Sequence, residues 1–486
     1  MKDPLHFLKS SMPFQKSPDA IKEPCRIHFI GIGGVGMSGI AQVAKDQGNK
    51  VSGSDIRSSR YTDALKEAGI PVFIGHEASH IDTVKPDIVV VSTAILPNNP
   101  EYKRAQELGC EIWHRARMLA YLGESKQTLA VVGTHGKTTT SSMLAYVLDA
   151  LGTDPSFLVG GIVRSYQRNA RSGKGAYYVC EADESDKSFT YLKPFGILAT
   201  NIEADHLDHY KDLNEIHDKF EEFFASLDTQ GKLVLCGDDP ALRAVAEKSN
   251  KDFVSYGIDS SNDICVFEYR QEGIKSQFSL RLPNGEIIHS GLKQNPGIHN
   301  VLNAAGVLAI IWALGEDVER AAAALRDFAG VKRRFDLVDE VNDITIVDDY
   351  AHHPTEIAAT IKAAKDLNYK RLVVVFQPHR YSRVSLFTEV LHDDFSHAFD
   401  LCDLLIFTDV YSAGETPVPG VTGKTFLDVV LKGDKSFDYR YIENHSELAL
   451  NIAKELCAGD LLITMGAGDV TTVGPELARI LRQDGC

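Results

Sequence analysis

The sequence predicts an α/β protein of three domains, each carrying a mostly parallel sheet. Three observations lead there. Short apolar runs alternate with helical patterns along almost the whole chain, the signature of strand–helix–strand units. Two of those runs end in Gly-rich turns that open helices, GIGGVG at 31–36 and GTHGKT at 133–138. The length, 486 residues, is about three times a common domain size.

The first segment spans 25–122. CRIHFIGIGGVGMSGIAQVAKDQGNKVSGSD reads strand, turn, helix, strand, and GIPVFIG, PDIVVVSTAI and CEIWHR follow as further strands. A parallel, doubly wound, Rossmann-like domain is expected. Gly31, Gly33 and Gly36 fit G-x-G-x-x-G. In that pattern a diphosphate rests on backbone N–H groups and a helix N-terminus. The turn is consistent with a nicotinamide dinucleotide, and a UDP-sugar supplies a diphosphate equally well. Asp55 ends the second strand, either beside a ribose hydroxyl or as a helix cap.

The second segment spans 123–330 and opens on Thr128–Val132, an apolar run, then Gly133-Thr134-His135-Gly136-Lys137-Thr138-Thr139 and the helical SSMLAYVLDAL. Strand, tight turn, Gly-Lys-Thr and helix in that order hold a nucleotide triphosphate. Backbone N–H groups surround the phosphates, Lys137 reaches the β/γ-phosphates and the Thr138 hydroxyl meets Mg²⁺. The first Gly of the usual P-loop is replaced by Val131. YYVCEADESD is a strand running into acidic residues, with Glu181 placed to meet a metal; a solvated acidic turn is the plainer reading. GILATNIEADHLDHY ends likewise near His206. In NPGIHNVLNAAG, His299, Asn300 and Asn303 start a helix. They border an adenine, whose edge an amide can pair, or they cap the helix.

The third segment, 331–486, contains VKRRFDLV, ITIVDDYAHHPTEI, RLVVVFQPHRYSR, CDLLIFTDVYSAGE and DLLITMGAGDV. A second Rossmann-like sheet is expected. Asp349, His352, His379, Arg380 and Arg383 sit at strand ends, where polar residues line a cleft and do not fill a core. MGAGDV lacks a Lys and reads as a structural turn.

Composition narrows the partners. Fifty-one basic against 67 acidic residues give a net charge of −16, with no basic tract, so nucleic acid is not expected as a partner. The apolar stretch AAGVLAIIWALG is too short to span a membrane. Residues 1–24 lack a signal-peptide core and read as a tail or docking arm. Eight scattered cysteines without C-x-x-C indicate neither a zinc module nor a disulfide framework, and the cytoplasm is the expected location.

Taken in order, HFIGIGGVGMSGIA, VVGTHGKTTT, EADESD, NIEADHLDHY, GIHNVLNAAG, VKRRFD, VDDYAHHPTEI, FQPHRYSR and MGAGDV resemble the Mur ligases, from Ile27 to Ala478. The family generally lacks the first P-loop Gly. The resemblance implies an ATP-dependent, Mg²⁺-requiring amide ligase that joins L-alanine to UDP-N-acetylmuramate through an acyl phosphate. A recycling ligase that adds a preformed tripeptide is the nearer alternative, and a nicotinamide-dependent oxidoreductase the more distant one. By the same resemblance Gly31, Gly33, Gly34, Gly36, Ser38, Asp55 and His76 face the UDP part, with Ser92, Thr93, His114 and Arg115 close by. The segment Gly133–Thr139, with Lys137, holds the phosphates. Thr138 and Glu181 hold one Mg²⁺, and His206 holds a second. His299, Asn300 and Asn303 border the adenine, Asp349 lies near the ATP ribose, and Arg334 reaches the phosphates. His352, Arg380 and Arg383 surround the muramoyl carboxylate and the amino acid.

Overall fold

The structure, a computed structural model, describes residues 24–182, 188–203, 210 and 212–484. Those residues form two compact units. One takes in the residues up to Ile162, Tyr166–Ser255 and Ala309–Asp317; the other takes in Val163–Ser165, Tyr256–Leu308 and Val318 onward.

The first unit contains a five-stranded sheet in the order Val72–Ile74, Lys50–Asp55, Arg26–Ile30, Ile88–Val91, Glu111–His114. All its pairings are parallel. The unbroken apolar runs of its central strands explain the arrangement. Phe29, Ile30, Val89 and Val90 are fully buried, as strands covered on both faces require. The order places the central strand Arg26–Ile30 between neighbours reached in opposite directions, and ligands gather at such a switch point. The Gly-rich turn lies there.

The same unit carries a second run of strands: Lys232–Cys236, Gly196–Ala199, Gln127–Val132, Tyr177–Glu181, Ser156–Val163, Arg168–Arg171. Gln127–Val132 is flanked by parallel partners on both sides, so it is the apolar central strand that LAVV implied. The helix Lys137–Ala150 follows it directly.

The second unit contains an antiparallel ribbon, Ile264–Glu272, Lys275–Arg281 and Ile287–Leu292. It also contains a six-stranded sheet in the order Asp336–Val341, Ile344–Asp349, Asp460–Met465, Arg371–Phe376, Leu404–Thr408, Asp438–Ile442. Only the Asp336–Val341 edge is antiparallel. Alternate residues feed two cores. Val347, Leu372, Val374 and Phe376 pack on one face, and Ile346, Val373, Val375 and Leu462 on the other. Each such buried side chain contributes about 1.5–3 kcal/mol.

Candidate functional site

The Gly-rich turn is stitched to the end of the neighbouring strand. Gly31 and Ile32 donate their N–H groups to the Ser54 carbonyl at 2.8 and 2.9 Å. The Gly33 N–H donates to Asp55 Oδ2 at 2.8 Å. Asp55 therefore holds the turn itself, a contact that neither the ribose reading nor the helix-cap reading from sequence included. A Cβ on Gly33 would fall 2.8 Å from that carboxylate oxygen and 3.0 Å from Thr62 Cγ2, so any side chain must push Asp55 off the Gly33 N–H or shift Thr62. Gly31 has φ +81°, the left-handed conformation that glycine adopts freely. Gly34 is the N-cap of the helix Val35–Asp46, and the buried Ser38 turns its hydroxyl to the Val35 carbonyl at 3.0 Å.

Around this turn stand the other residues singled out in the first segment. His76 Nδ1 is 3.1 Å from Ser54 Oγ. Ser92 Oγ is 4.0 Å from where a Gly31 Cβ would be, and Arg115 Nη1 is 3.6 Å from a Gly36 Cβ. His114 caps the helix Arg115–Gly123, its Nδ1 accepting from the Ala116 N–H at 3.4 Å. Its Nε2 then carries the proton in the neutral ring and lies 3.1 Å from Thr93 Oγ1. The structure thus brings the predicted first-segment residues together at one end of one sheet.

The P-loop is equally tight. Gly133 has φ +139° and a Cβ there would fall 2.1 Å from Thr200 Oγ1. Asn201 grips the loop from the adjacent strand end: its Oδ1 accepts from the His135 N–H at 2.7 Å and its Nδ2 donates to the His135 carbonyl at 3.0 Å. His135 Nε2 lies 3.3 Å from Glu203 Oε2. Lys137 folds its ammonium back onto the Gly133 and Thr134 carbonyls at 2.6 and 3.1 Å. The Thr138 hydroxyl sits 3.0 and 2.9 Å from the two Glu181 oxygens, and the Gly160 N–H also donates to Glu181 Oε2 at 2.6 Å. Thr139 is buried in the same helix. A hydroxyl and a carboxylate held side by side at the mouth of a phosphate loop form an oxygen donor set suited to a hard cation. His206 lies outside the described residues.

In the second unit, His299, Asn300 and Asn303 begin the helix Ile298–Leu314. Asn300 Nδ2 donates to the Pro296 carbonyl at 2.9 Å and lies 3.0 Å from His299 Nε2. Burial pushes His299 down to about 4, so its ring is neutral at pH 7. Asp349 is buried and pushed up to about 6 by burial, against the opposing charge of Arg334. Its carboxylate accepts from the Phe335 and Ala351 N–H groups at 2.7 and 2.8 Å.

The two consecutive arginines have different surroundings. Arg333 donates to the Gly466 and Gly468 carbonyls and pairs with Asp348 at 3.3 Å. Arg334 lies 3.7 Å from Glu356. Both guanidinium groups stack over the Tyr350 ring, at 5.0 and 5.2 Å. His352 contacts the same Glu356 at 3.6 Å. Arg380 adopts φ +66° with ψ 132°, a conformation costly for a side chain with a Cβ. The hydrogen bond from its N–H to the Tyr411 carbonyl at 2.8 Å holds it there. Such strain clusters at ligand sites. His379 beside it is pushed down to about 3, by burial first and then by His352, Arg380, Arg383 and Arg333. Arg383 packs over Phe387 at 5.7 Å.

Sequence reasoning missed Gly160, Glu356 and the buried Glu101; it placed Asn201 only at a strand end and Arg333 only beside Arg334 on a linker, without their partners. Asn201 follows the apolar run GILAT, and its hold on the P-loop backbone could have been read by asking what satisfies that backbone. Gly160 carried no local signal, because its requirement arises from Glu181 on another strand.

These features define a class, the nucleotide-dependent α/β enzymes with a P-loop and a separate diphosphate-type turn. The comparisons narrow it. The pattern described as "Mur ligase family, catalytic domain" matches residues 26–127, "Mur ligase middle domain" matches 131–311, and "Mur ligase, glutamate ligase domain" matches 333–468. A UDP-N-acetylmuramate–L-alanine ligase of Geotalea daltonii is 42% identical over 458 residues, 94% of this chain and 98% of that protein. One from Myxococcus xanthus is 40% identical over 97% of this chain and 98% of its own length. Among solved structures, a UDP-N-acetylmuramate–alanine ligase of Thermotoga maritima is similar with TM-score 0.80 and 30% identity, covering 95% of this chain and all of that one. A murein peptide ligase of Psychrobacter arcticus is similar with TM-score 0.70 and 26% identity, covering 94% and 98%. The chain belongs to the Mur ligase family.

Proposed function

We propose that this chain joins L-alanine to the lactyl carboxylate of UDP-N-acetylmuramate, with ATP as the activating substrate, in the cytoplasmic synthesis of peptidoglycan. The observation that carries the reading is the near full-length similarity to ligases of that name, 42% over 94% of the chain, together with a Thr138–Glu181 pair at the mouth of the P-loop. The murein peptide ligase likeness is weaker in identity and in TM-score, which favours the single amino acid over a preformed peptide. Among the described residues no helix is long and apolar enough to cross a membrane.

In this reading residues 25–122 take the UDP-sugar, 123–330 take ATP, and 331–486 supply the groups that meet the amino acid and the transferring phosphoryl group. The sugar carboxylate attacks the γ-phosphorus, the bond to the β-phosphate oxygen breaks, and ADP departs. The alanine amine, having lost a proton, then attacks the acyl carbon of the acyl phosphate, and inorganic phosphate leaves. The protein contributes positioning and charge, with no nucleophile of its own. Lys137 leaves the loop carbonyls to meet the β/γ-phosphates. Thr138 and Glu181 would hold Mg²⁺, with His206 at a second ion, and the metal would neutralise developing phosphate charge. His299, Asn300 and Asn303 border the adenine, Asp349 the ribose. His352, Arg380 and Arg383 gather around the two carboxylates, and Arg334 steadies the γ-phosphoryl group.

The test is phosphate release from ATP in the presence of UDP-N-acetylmuramate, with L-alanine, with the tripeptide, or with neither. Release that depends on L-alanine supports the reading. Dependence on the tripeptide assigns the recycling reaction instead, and binding of NADH without any UDP-sugar affinity overturns both.

A further inference from the structure

Glu101 lies in the first turn of the helix Pro100–Glu107, yet its side chain is completely buried. It collects donors from three elements. The Ser54 hydroxyl donates to Oε2 at 2.6 Å, and His80 Nδ1 is 2.6 Å from Oε1. The Glu77 N–H donates to Oε1 at 3.3 Å, and the buried His28 Nε2 is 3.4 Å from Oε2. Burial alone would raise this carboxyl; the His28, Ser54 and His80 contacts outweigh it and hold the group at about 2. The helix N-terminus acts in the same direction. Glu101 is therefore an anion at any working pH.

A proton count follows. Ser54 has one hydroxyl proton, and an ionised carboxylate only accepts, so that proton points to Glu101. Ser54 Oγ can then offer His76 only a lone pair across their 3.1 Å contact. His76 Nδ1, which also lies 3.7 Å from Glu101 Oε1, must carry the ring proton, and Nε2 of the neutral ring is left as an acceptor. The backbone of the same Ser54 ties down the Gly31 and Ile32 N–H groups, so one residue sets both the Gly-rich turn and the ring beside it.

We propose that Glu101, acting through Ser54, is a positioning residue that fixes the Nδ1–H tautomer of His76, so that Nε2 accepts a hydrogen bond from an N–H or O–H donor on the nucleoside of the bound UDP-sugar. The proposal rests on the reading of His76 as a UDP-facing residue. Nothing in the transfer chemistry needs Glu101, which explains why its burial is otherwise unaccounted for. Its substitution acts on the choice of ligand and leaves ATP alone.

The experiment compares wild type with Ser54→Ala, Glu101→Gln, His76→Ala and the Ser54→Ala/His76→Ala double variant. UDP-N-acetylmuramate and ATP affinities are measured separately by calorimetry, and ¹⁵N NMR of histidine-labelled protein reads the ring tautomers. Ser54→Ala and Glu101→Gln should each weaken UDP-N-acetylmuramate about tenfold, the value of one hydrogen bond, with ATP affinity unchanged. The double variant should bind no worse than His76→Ala. His76 should appear as the Nδ1–H form in wild type and as a mixture in Ser54→Ala. UDP methylated at the uracil N3, or deoxygenated on the ribose, should lose the wild-type advantage over Ser54→Ala; whichever does names the donor. If Glu101→Gln fails to fold, Ser54→Ala carries the comparison. An Nε2–H tautomer in wild type, or Ser54→Ala binding as wild type does, overturns the proposal. Wild-type protein that binds no UDP-sugar overturns the proposed function instead, and the NMR still reads the tautomer.

Discussion

The Thr138 hydroxyl straddles the Glu181 carboxylate, 3.0 Å from Oε1 and 2.9 Å from Oε2. The contact joins the first turn of the helix after the P-loop to the end of the parallel strand beside it, where Val131 pairs with Glu181. If the pair shares a Mg²⁺, Glu181→Gln keeps the shape and removes the charge. Turnover is expected to fall at least about 100-fold, a loss of about 3 kcal/mol. The Mg²⁺ concentration for half-maximal rate should rise, and UDP-sugar affinity should stay. An unchanged Mg²⁺ titration would remove Glu181 from the metal site.

Lys137 in this structure satisfies its ammonium on two loop carbonyls. It is thus held within the loop, from which the proposed reaction has it turn to the β/γ-phosphates. Lys137→Ala should abolish ligase turnover at a cost of about 3 kcal/mol or more in the transition state. Calorimetry with UDP-N-acetylmuramate should give wild-type affinity. Equal loss of both would contradict the separation of the ATP loop from the sugar turn.

A side chain at Gly33 would crowd Asp55 Oδ2 and Thr62 Cγ2, 2.8 and 3.0 Å from the Cβ position. Gly33→Val should displace Asp55 from the Gly33 N–H and open the turn. UDP-sugar binding is then expected to be lost, while phosphate-loop binding of ATP persists. The Asp55→Asn variant, which keeps an oxygen for the N–H, should lose much less.

His299 gives a pH signature. Its folded value of about 4 lies below the ordinary imidazole value near 6.5. The unfolded chain therefore binds the proton first as pH falls. Stability from the neutral buried ring is complete above about 6.5 and is lost between about 6.5 and about 4, at about 1.4 kcal/mol per pH unit. Thermal melts of wild type and His299→Gln, run from pH 7.5 to 4.5, should converge as the pH falls. Parallel curves would show that His299 does not titrate in this window. Asp349, pushed up to about 6, works with the opposite sign, and comparing the two proteins cancels it.

Much of the fold was legible because strand–turn–helix punctuation is local. LAVV followed by Gly-Lys-Thr gives strand Gln127–Val132 and helix Lys137–Ala150 without tertiary help. The ribbon Ile264–Leu292 was missed. In EYRQEGIKSQFSLRLPNGEIIHSG the alternation Phe278, Leu280, Leu282 running into Asn-Gly is a local hairpin signal, so that turn was legible; the rest of the pairing depends on partners across the ribbon. At the site, donors at strand ends could be named from residue type. What could not be read was who engages whom. Asp55 reads as a ribose ligand or a cap; that its carboxylate also holds the Gly33 N–H was not readable, because that depends on two backbone segments 22 residues apart meeting in space. Glu101 looks in sequence like any first-turn helix acid; its burial against His28 and Ser54 is a tertiary fact.

Arg334 is the residue on which the proposed transfer step depends most. Arg333 and Arg334 could have formed a solvated pair on a linker. Arg333 does not fit that description: it is tied to Gly466, Gly468 and Asp348, and it holds the segment 331–336 in place. Arg334 lies over the Tyr350 ring and 3.7 Å from Glu356, with left-handed Arg333 and Phe335 on either side of it. Its guanidinium interacts electrostatically with the buried Asp349; in the proposed reaction it would meet the γ-phosphoryl group. Arg334→Ala should lower kcat strongly, by about 100-fold or more, and change ATP affinity little in the absence of the other substrates. Arg334→Lys should restore only part, since a point charge lacks the planar fork. Arg333→Ala should instead lower the melting temperature, through loss of a partly buried, multiply bonded cation. Near-normal kcat for Arg334→Ala, with Arg333 intact, would leave the γ-phosphoryl group without its proposed partner and send the search to Arg380 and Arg383.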